Sequence, residues 1–364
     1  MTEKKRLLFC MNVPWSWIKQ RPHFIAEGLV DKYDVTVLSP AAFHKYRVNK
    51  TNLPIIKLFR LPFERLWIVA KLNTIIHKIQ FRRSIKPFDV IWISLASQYN
   101  FIKKHAGNKT VVYDCMDDML EFNEFKEKRR GGYFLEAEKA VYLNADIVFA
   151  SSEHLKDVLM HRYGERDVYV VNNALRDGFA ESSKPLTDVL HSRFSAGKTH
   201  ISYIGTIDSW MDFDLLLKIL TDFKDAIIHL WGPCGYVTIP NHERLVYEGA
   251  VEHDYVLSIM KASDILMMPF KVNKLIESVN PVKLYEYIYS GKPCLAPLYG
   301  ESKQFGEYSY LYQSQQDCLD LIKELSKKDF KPKQDIKSCE AFANANTWSH
   351  RVSRMEECLA DKIG

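Results

Sequence analysis

Asn280-Pro-Val-Lys-Leu-Tyr-Glu-Tyr-Ile-Tyr-Ser-Gly-Lys-Pro-Cys-Leu-Ala-Pro297 is the stretch on which the fold turns. It reads as a loop, a short amphipathic helix opened near Pro281, a glycine stop at Gly291 and a buried apolar strand. Lys283 and Glu286 then fall three apart on one helical face, close to the helix N-terminus. Such a terminus offers free N–H groups and a partial positive charge worth about 0.3–1 kcal/mol to an anion. A first-turn lysine adds a full charge, and a neighbouring carboxylate can accept both ribose hydroxyls. The arrangement suits a nucleotide diphosphate. It also describes an ordinary surface helix with an i,i+3 ion pair, so the surrounding chain has to decide.

Upstream, short apolar runs alternate with helical patterns. Strands are predicted at 200–204, 226–231, 244–248 and 264–269, and helices at 213–223 and 253–262. Three strands run into turns with glycine: Gly205-Thr-Ile-Asp208, Trp231-Gly-Pro233 and Tyr247-Glu-Gly249. A residue without Cβ lets backbone N–H groups approach a phosphate. Singly, each glycine is explained by its turn. Together they lie on one predicted edge, the one at which the helix after Asn280 also begins. No G-x-G-x-x-G fingerprint is present, which counts against a nicotinamide or flavin dehydrogenase.

The first half alternates in the same way, with strands predicted at 6–12, 34–39, 55–60, 89–94, 110–114, 146–151 and 168–172 and helices at 20–30, 64–85 and 134–143. This implies an α/β fold of two mostly parallel, doubly wound sheets, with ligands at the carboxyl ends of the strands. The polar segment 177–198, with Ser182-Ser-Lys-Pro185, is read as a linker. The expected domains are 1–176 and 199–346, followed by a closing helix, 347–364.

A chain of 364 residues that is 47% hydrophobic is long enough for two such cores. No secretory leader is visible after Met1, and no window approaches the roughly 18–20 apolar residues of a membrane span. Seven scattered cysteines without a C-x-x-C pair point to reduced thiols and a cytoplasmic setting, not to a zinc or disulfide framework.

Asp264-Ile-Leu-Met-Met-Pro-Phe270, the stretch 280–293 and Trp348 resemble the donor half of GT-B glycosyltransferases. Trp15, Gln20-Arg-Pro-His23 and Val112-Tyr-Asp-Cys-Met-Asp-Asp118 resemble the acceptor half. The branch is that of bacterial polysaccharide enzymes of the teichuronic-acid and xanthan glucuronosyltransferase type. The resemblance implies two Rossmann-like domains facing a cleft and a closing helix that crosses back to the first. It puts Lys283 on the donor diphosphate, Glu286 on the ribose, and Gly205 and Thr206 near the phosphates. Asp208 and Trp210 would lie near the transferred sugar; Asn280, Pro281, Trp231, Gly232 and Glu248, which falls in the base-bordering run 246–249, would complete the donor site. Trp15, Arg21 and Asp114 would bind the acceptor. Retaining members often carry a glutamate eight residues before the ribose-binding one; here Ser278 stands there, with Glu277 one place earlier, so the stereochemical outcome stays open.

Acceptor chemistry needs a base for the attacking hydroxyl. Asp114, Asp117 and Asp118 cluster at a predicted strand end, and clustered carboxylates raise one another's pKa. The resemblance favours Asp117 as catalytic. Asp118 reads equally as a cap, and Asp-x-x-Asp-Asp could alternatively hold Mg²⁺ or Mn²⁺. The main reading has no metal and no cofactor, because lysine and helix dipoles already neutralise the diphosphate. His23 is the second catalytic candidate, with capping or packing as its alternative.

From Lys45 to Lys86 there are eleven Lys or Arg against the single acid Glu64, interleaved in 64–85 with Leu66, Trp67, Ile68, Leu72, Ile75, Ile76 and Ile79. This is either a basic amphipathic element for a membrane surface or a helix whose apolar face packs on the sheet. The net charge of +5 is modest and no recognition motif accompanies the patch, which argues against nucleic acid. The expected activity is sugar transfer from a nucleotide-sugar, UDP first among them, to a lipid-linked or growing glycan. The expected location is the cytoplasm, at the inner face of the membrane. A sugar-nucleotide 2-epimerase and a non-catalytic glycan or nucleic-acid binder are the rival readings.

Overall fold

The computed structural model describes residues 4–41, 51–63, 66–122, 125 and 128–363. Lys45, Arg47, Lys50, Glu64 and Arg65 of the basic segment lie outside them. The chain divides into two compact units, residues 1–172 with 348–364, and residues 173–347.

The first unit is built on a seven-stranded parallel sheet. Its strands are β1 (Arg6–Cys10), β2 (Asp34–Pro40), β3 (Ile55–Leu58), β4 (Val90–Ile93), β5 (Thr110–Cys115), β6 (Ile147–Ala150) and β7 (Tyr169–Val170). Their spatial order is β3-β2-β1-β4-β5-β6-β7. The near-continuous apolar runs follow from burial on both faces. Phe9, Trp92 and Phe149 stack at 5.5 and 5.4 Å on the sheet. The order reverses between β1 and β4, so ligand-binding residues belong at the carboxyl ends near that point. Helix Trp348–Ile363 belongs to this unit: Trp348 stacks on Phe24 at 5.4 Å, and Val352 sits where a Cβ on Gly28 would be, 2.7 Å away.

The second unit carries six parallel strands: β8 (Thr199–Ile204), β9 (Ala226–Trp231), β10 (Leu245–Gly249), β11 (Ile265–Met267), β12 (Cys294–Pro297) and β13 (Tyr310–Tyr312). They are ordered β10-β9-β8-β11-β12-β13, with the reversal between β8 and β11. Residues 177–198, read from the sequence as a linker, lie within this unit. Phe179 is in its core, and Leu186, Leu190 and Phe194 pack against it. Polar residues between those apolar ones hid the pattern.

Candidate active site

In the second unit the helix after Asn280 forms as Val282–Tyr289, with Pro281 at its N-cap. Lys283 is thus in the first turn. Its amine reaches back to the end of β8, where a Cβ on Gly205 would stand 2.0 Å from Lys283 Cε and 2.5 Å from Nζ. A side chain at this position would have to push the end of the lysine aside. The ammonium lies 5.8 Å from the Tyr203 ring, and among the described residues it has no carboxylate or other hydrogen-bond partner. Burial pushes its pKa down, with Glu286 opposing. An ammonium held largely out of water, with no carboxylate in hydrogen-bond contact among the described residues, is a strong anion site.

The other strand ends close around it. A Cβ on Gly232 would lie 2.2 Å from the Gly205 carbonyl oxygen. The Gly205 N–H donates to Trp231 O at 2.7 Å, and the Gly232 N–H to Gly249 O at 2.8 Å. These two glycines therefore supply close approach, not the free phosphate-binding N–H groups expected of them. Open backbone donors remain on the first turn of helix Val282–Tyr289. Thr206 lies alongside, its carbonyl accepting from the Tyr203 hydroxyl at 2.7 Å.

Glu286 is largely buried, 3.6 Å from His253 Nε2. Asp208 accepts from the Ser209 N–H at 2.6 Å and crowds Gly235, where a Cβ would meet its Oδ2 at 2.0 Å. Trp210 packs edge-on to Phe270. Asn280 is buried and spent structurally: its Oδ1 accepts from the Asn173 N–H at 3.0 Å, and its amide donates to Glu301 at 3.3 Å. Ser278 is fully buried, and Glu277 ends a short helix, Lys274–Glu277.

Glu248 and Trp231 are not free to meet a nucleotide through their side chains. His200 Nε2 donates to Ser195 O at 3.0 Å, so its Nδ1 accepts from His229 Nε2 at 2.9 Å. His229 Nδ1 then faces Glu248 Oε1 at 2.8 Å, a gap that requires one proton, and Arg193 Nε lies 3.5 Å from Glu248 Oε2. Trp231 is buried beside this row, stacked with His229 and Phe194.

In the first unit Arg21 and Asp114 form a buried ion pair, Nη2 to Oδ1 2.7 Å, and Arg21 Nη1 also donates to Val171 O at 2.7 Å. Both are used in holding the fold, which leaves neither a spare face for an acceptor. Asp118 is held bidentately by Arg162 at 2.8 and 2.6 Å. Arg162 also lies 3.7 Å from Glu138, which accepts from Tyr113 and Tyr163 at 3.0 and 2.7 Å. Guanidinium groups have taken the outer two carboxylates of the trio, and among the described residues no cluster of three metal-ligating side chains forms.

Among the described residues Asp117 between them has no such partner, and it stays partly exposed. Its pKa is pushed up to about 7, chiefly by burial, with Asp114 and Asp118 adding and Arg21 opposing. A carboxylate so poised can accept a proton near neutral pH. His23 is different. It is fully buried, its Nδ1 accepts from the Gln20 N–H at 3.3 Å, and its Nε2 donates to Trp15 O at 3.1 Å. Burial lowers its pKa to about 4. Nδ1 caps the helix Arg21–Gly28 and Nε2 is held by Trp15 O, so neither nitrogen is open for the proton-transfer role expected of His23. Trp15 packs on it, ring centroids 4.8 Å apart, while the Trp15 backbone N–H donates to Ser39 Oγ.

Residues 23–177 match the family described as Glycosyltransferase Family 4. The match covers less than half of the chain. The teichuronic acid biosynthesis glycosyltransferase named TuaH in Bacillus subtilis (strain 168) is 24% identical over 232 residues, covering 58% of this chain and 56% of that protein. The chain thus spans little more than half the length of this relative in the match. Two solved structures align over 98% of this chain and 99% of their own. They are Anabaena HepE in complex with UDP and glucose, TM-score 0.72 at 14% identity, and sucrose-phosphate synthase of Thermosynechococcus elongatus, TM-score 0.75 at 13%. The E. coli trehalose-6-phosphate structure bound with UDP-2-fluoro glucose aligns at TM-score 0.71 and 10% identity over 97% of this chain and 98% of its own. The fold is GT-B. None of these proteins is named as an epimerase or a binding module.

Tyr203 and Tyr287 escaped the sequence reading. Tyr287 accepts the Ile204 N–H at 2.9 Å and so ties the lysine's helix to the end of β8. Its signal was its place four residues after Lys283, on the same face. Two open grooves, about 1000 and 910 Å³, lie at the amino ends of strands in the first unit, beside Asp146 and Val168 and beside Arg6, Asp89 and Thr110. They sit at the wrong edge of a doubly wound sheet to be its ligand site.

Proposed function

We propose that this chain is a glycosyltransferase that moves a sugar from a UDP-sugar to a lipid-linked or growing cell-surface glycan at the cytoplasmic face of the membrane. The observation that carries the proposal is Lys283: a largely desolvated ammonium in the first turn of a helix, with no hydrogen-bond partner among the described residues, lying close over the glycine that ends β8. It binds the donor diphosphate and stabilises the charge that develops on the leaving group, with no metal ion or cofactor required. Glu286 receives the ribose hydroxyls. Thr206, Asp208 and Trp210 border the phosphates and the sugar. In the first unit Asp117 takes the proton of the acceptor hydroxyl, its raised pKa matching that task. UDP in the HepE and trehalose-6-phosphate structures supports the choice of nucleotide.

The test is a thermal-shift series with UDP, GDP, CMP and their sugar conjugates, with and without EDTA. A ligand that binds only the folded protein raises the melting temperature by an amount set by its concentration over Kd. A shift with the uridine compounds that survives EDTA is the expected result; no shift with any nucleotide would sink the proposal.

A further inference from the structure

Helix Trp67–Ser84 of the first unit turns an apolar face to solvent. It is anchored from beneath by Phe81, stacked 5.2 Å from Phe101, and by Asn73, whose side chain binds both the N–H and the C=O of Leu61 at 2.7 and 3.1 Å. On the opposite side Ile68, Leu72, Ile75 and Ile79 recur at i, i+4, i+7 and i+11. They form one stripe, exposed by 55%, 44%, 53% and 47%. Phe63 and Trp67, exposed by 77% and 65%, come just before it in the chain. Scattered surface apolar residues need no explanation, but a stripe of four on one helical face, with two exposed aromatic residues beside its start, does. Residues 66–88 contain five cations, Lys71, Lys78, Arg82, Arg83 and Lys86, and no Asp or Glu.

We infer that this face docks on an anionic lipid bilayer. The composition fits that occupant: aliphatic and aromatic side chains to enter the headgroup boundary, and cations beside them to meet lipid phosphates. A second copy of the chain fits poorly, because a self-complementary contact would set five cations against five. The inference extends the reading of a lipid-linked acceptor, since a peripheral enzyme held this way would meet such an acceptor at the membrane surface. Its test needs no turnover.

The experiment is sedimentation of the full chain with vesicles of phosphatidylglycerol and phosphatidylcholine, against phosphatidylcholine alone, at low and high salt. The protein is expected to pellet with the anionic vesicles and to be released by salt. Lys71→Gln and Lys78→Gln should each lower partitioning about fivefold, and Ile75→Ser with Ile79→Ser at least as much. Because all four side chains are exposed, the variants should fold and keep the UDP-induced thermal shift. Failure to pellet, equal pelleting of the variants, or a stripe-dependent dimer in sedimentation velocity would each overturn the inference. A UDP shift without vesicle binding refutes this surface and leaves the donor site standing; vesicle binding without a UDP shift does the reverse.

Discussion

Replacing Lys283 by methionine separates the two things the lysine does. In the free protein its ammonium is partly desolvated and has no carboxylate in hydrogen-bond contact among the described residues, and burial depresses its pKa, so holding it charged opposes folding. Methionine fills a similar volume without that charge, so the melting temperature of the free variant should not fall. Donor binding should fall sharply. A charge-assisted hydrogen bond contributes about 1.5–3 kcal/mol, which is roughly 10- to 150-fold in Kd. With UDP at about 100 times the wild-type Kd, binding stabilises the wild type by about 2.7 kcal/mol. For a unit of this size that is roughly 5–10 °C. A 30-fold weaker site would retain about 0.9 kcal/mol under the same conditions, or roughly 2–3 °C. The assay is differential scanning fluorimetry of both proteins with and without UDP, and the expected signature is an unimpaired free protein that has lost most of its response. A full UDP response in Lys283→Met would show that the diphosphate binds elsewhere. A collapse of the free variant would show that the lysine is structural.

Three further outcomes are expected. Asp117→Asn should cut kcat/KM by about 10²–10⁴ while leaving the UDP shift intact, and the wild-type rate should climb with pH through about 7, because only the ionised carboxylate accepts a proton; a rate flat from pH 6 to about 8 in initial-velocity assays would reject it as the base. Arg21→Met strands Asp114 without its partner and should cost about 3–5 kcal/mol in urea unfolding, much of it recovered in the double variant with Asp114→Leu; additive losses would mean the pair is not coupled. His23 is held neutral down to about pH 4 when folded but takes a proton near 6.5 when unfolded, so its contribution is complete above about 6.5 and fades as pH falls towards 4, by roughly 3 kcal/mol. Stability curves of His23→Gln should lack that part of the acid slope.

Strand positions were largely legible because both sheets are parallel and buried on two faces, which forces short, uninterrupted apolar runs. The runs at 6–12, 34–39, 110–114 and 226–231 contain or overlap β1, β2, β5 and β9. β13 was missed, since Tyr310-Leu-Tyr312 is too short to stand out. Lys283 could be singled out because helix phase and a proline start are local properties. The pairings that occupy Arg21, Asp114, Asp118 and Glu248 could not, because each partner lies 19 to 93 residues away along the chain. That is also why His23 looked free: its acceptor is the carbonyl of Trp15, and a backbone atom leaves no mark on side-chain patterns.

The sheet of the first unit is complete once residue 170 has been made, yet the helix that covers Phe24 and Gly28 is encoded only at 348–363, after the entire second unit. During synthesis the face around Phe24 therefore waits, uncovered, while some 175 intervening residues emerge and can fold. A ribosome stall or a nonsense codon near position 347 would deliver an intact second unit attached to a first unit with a bare apolar face. The lesion would lie at one end of the sequence and the exposed, aggregation-prone surface at the other.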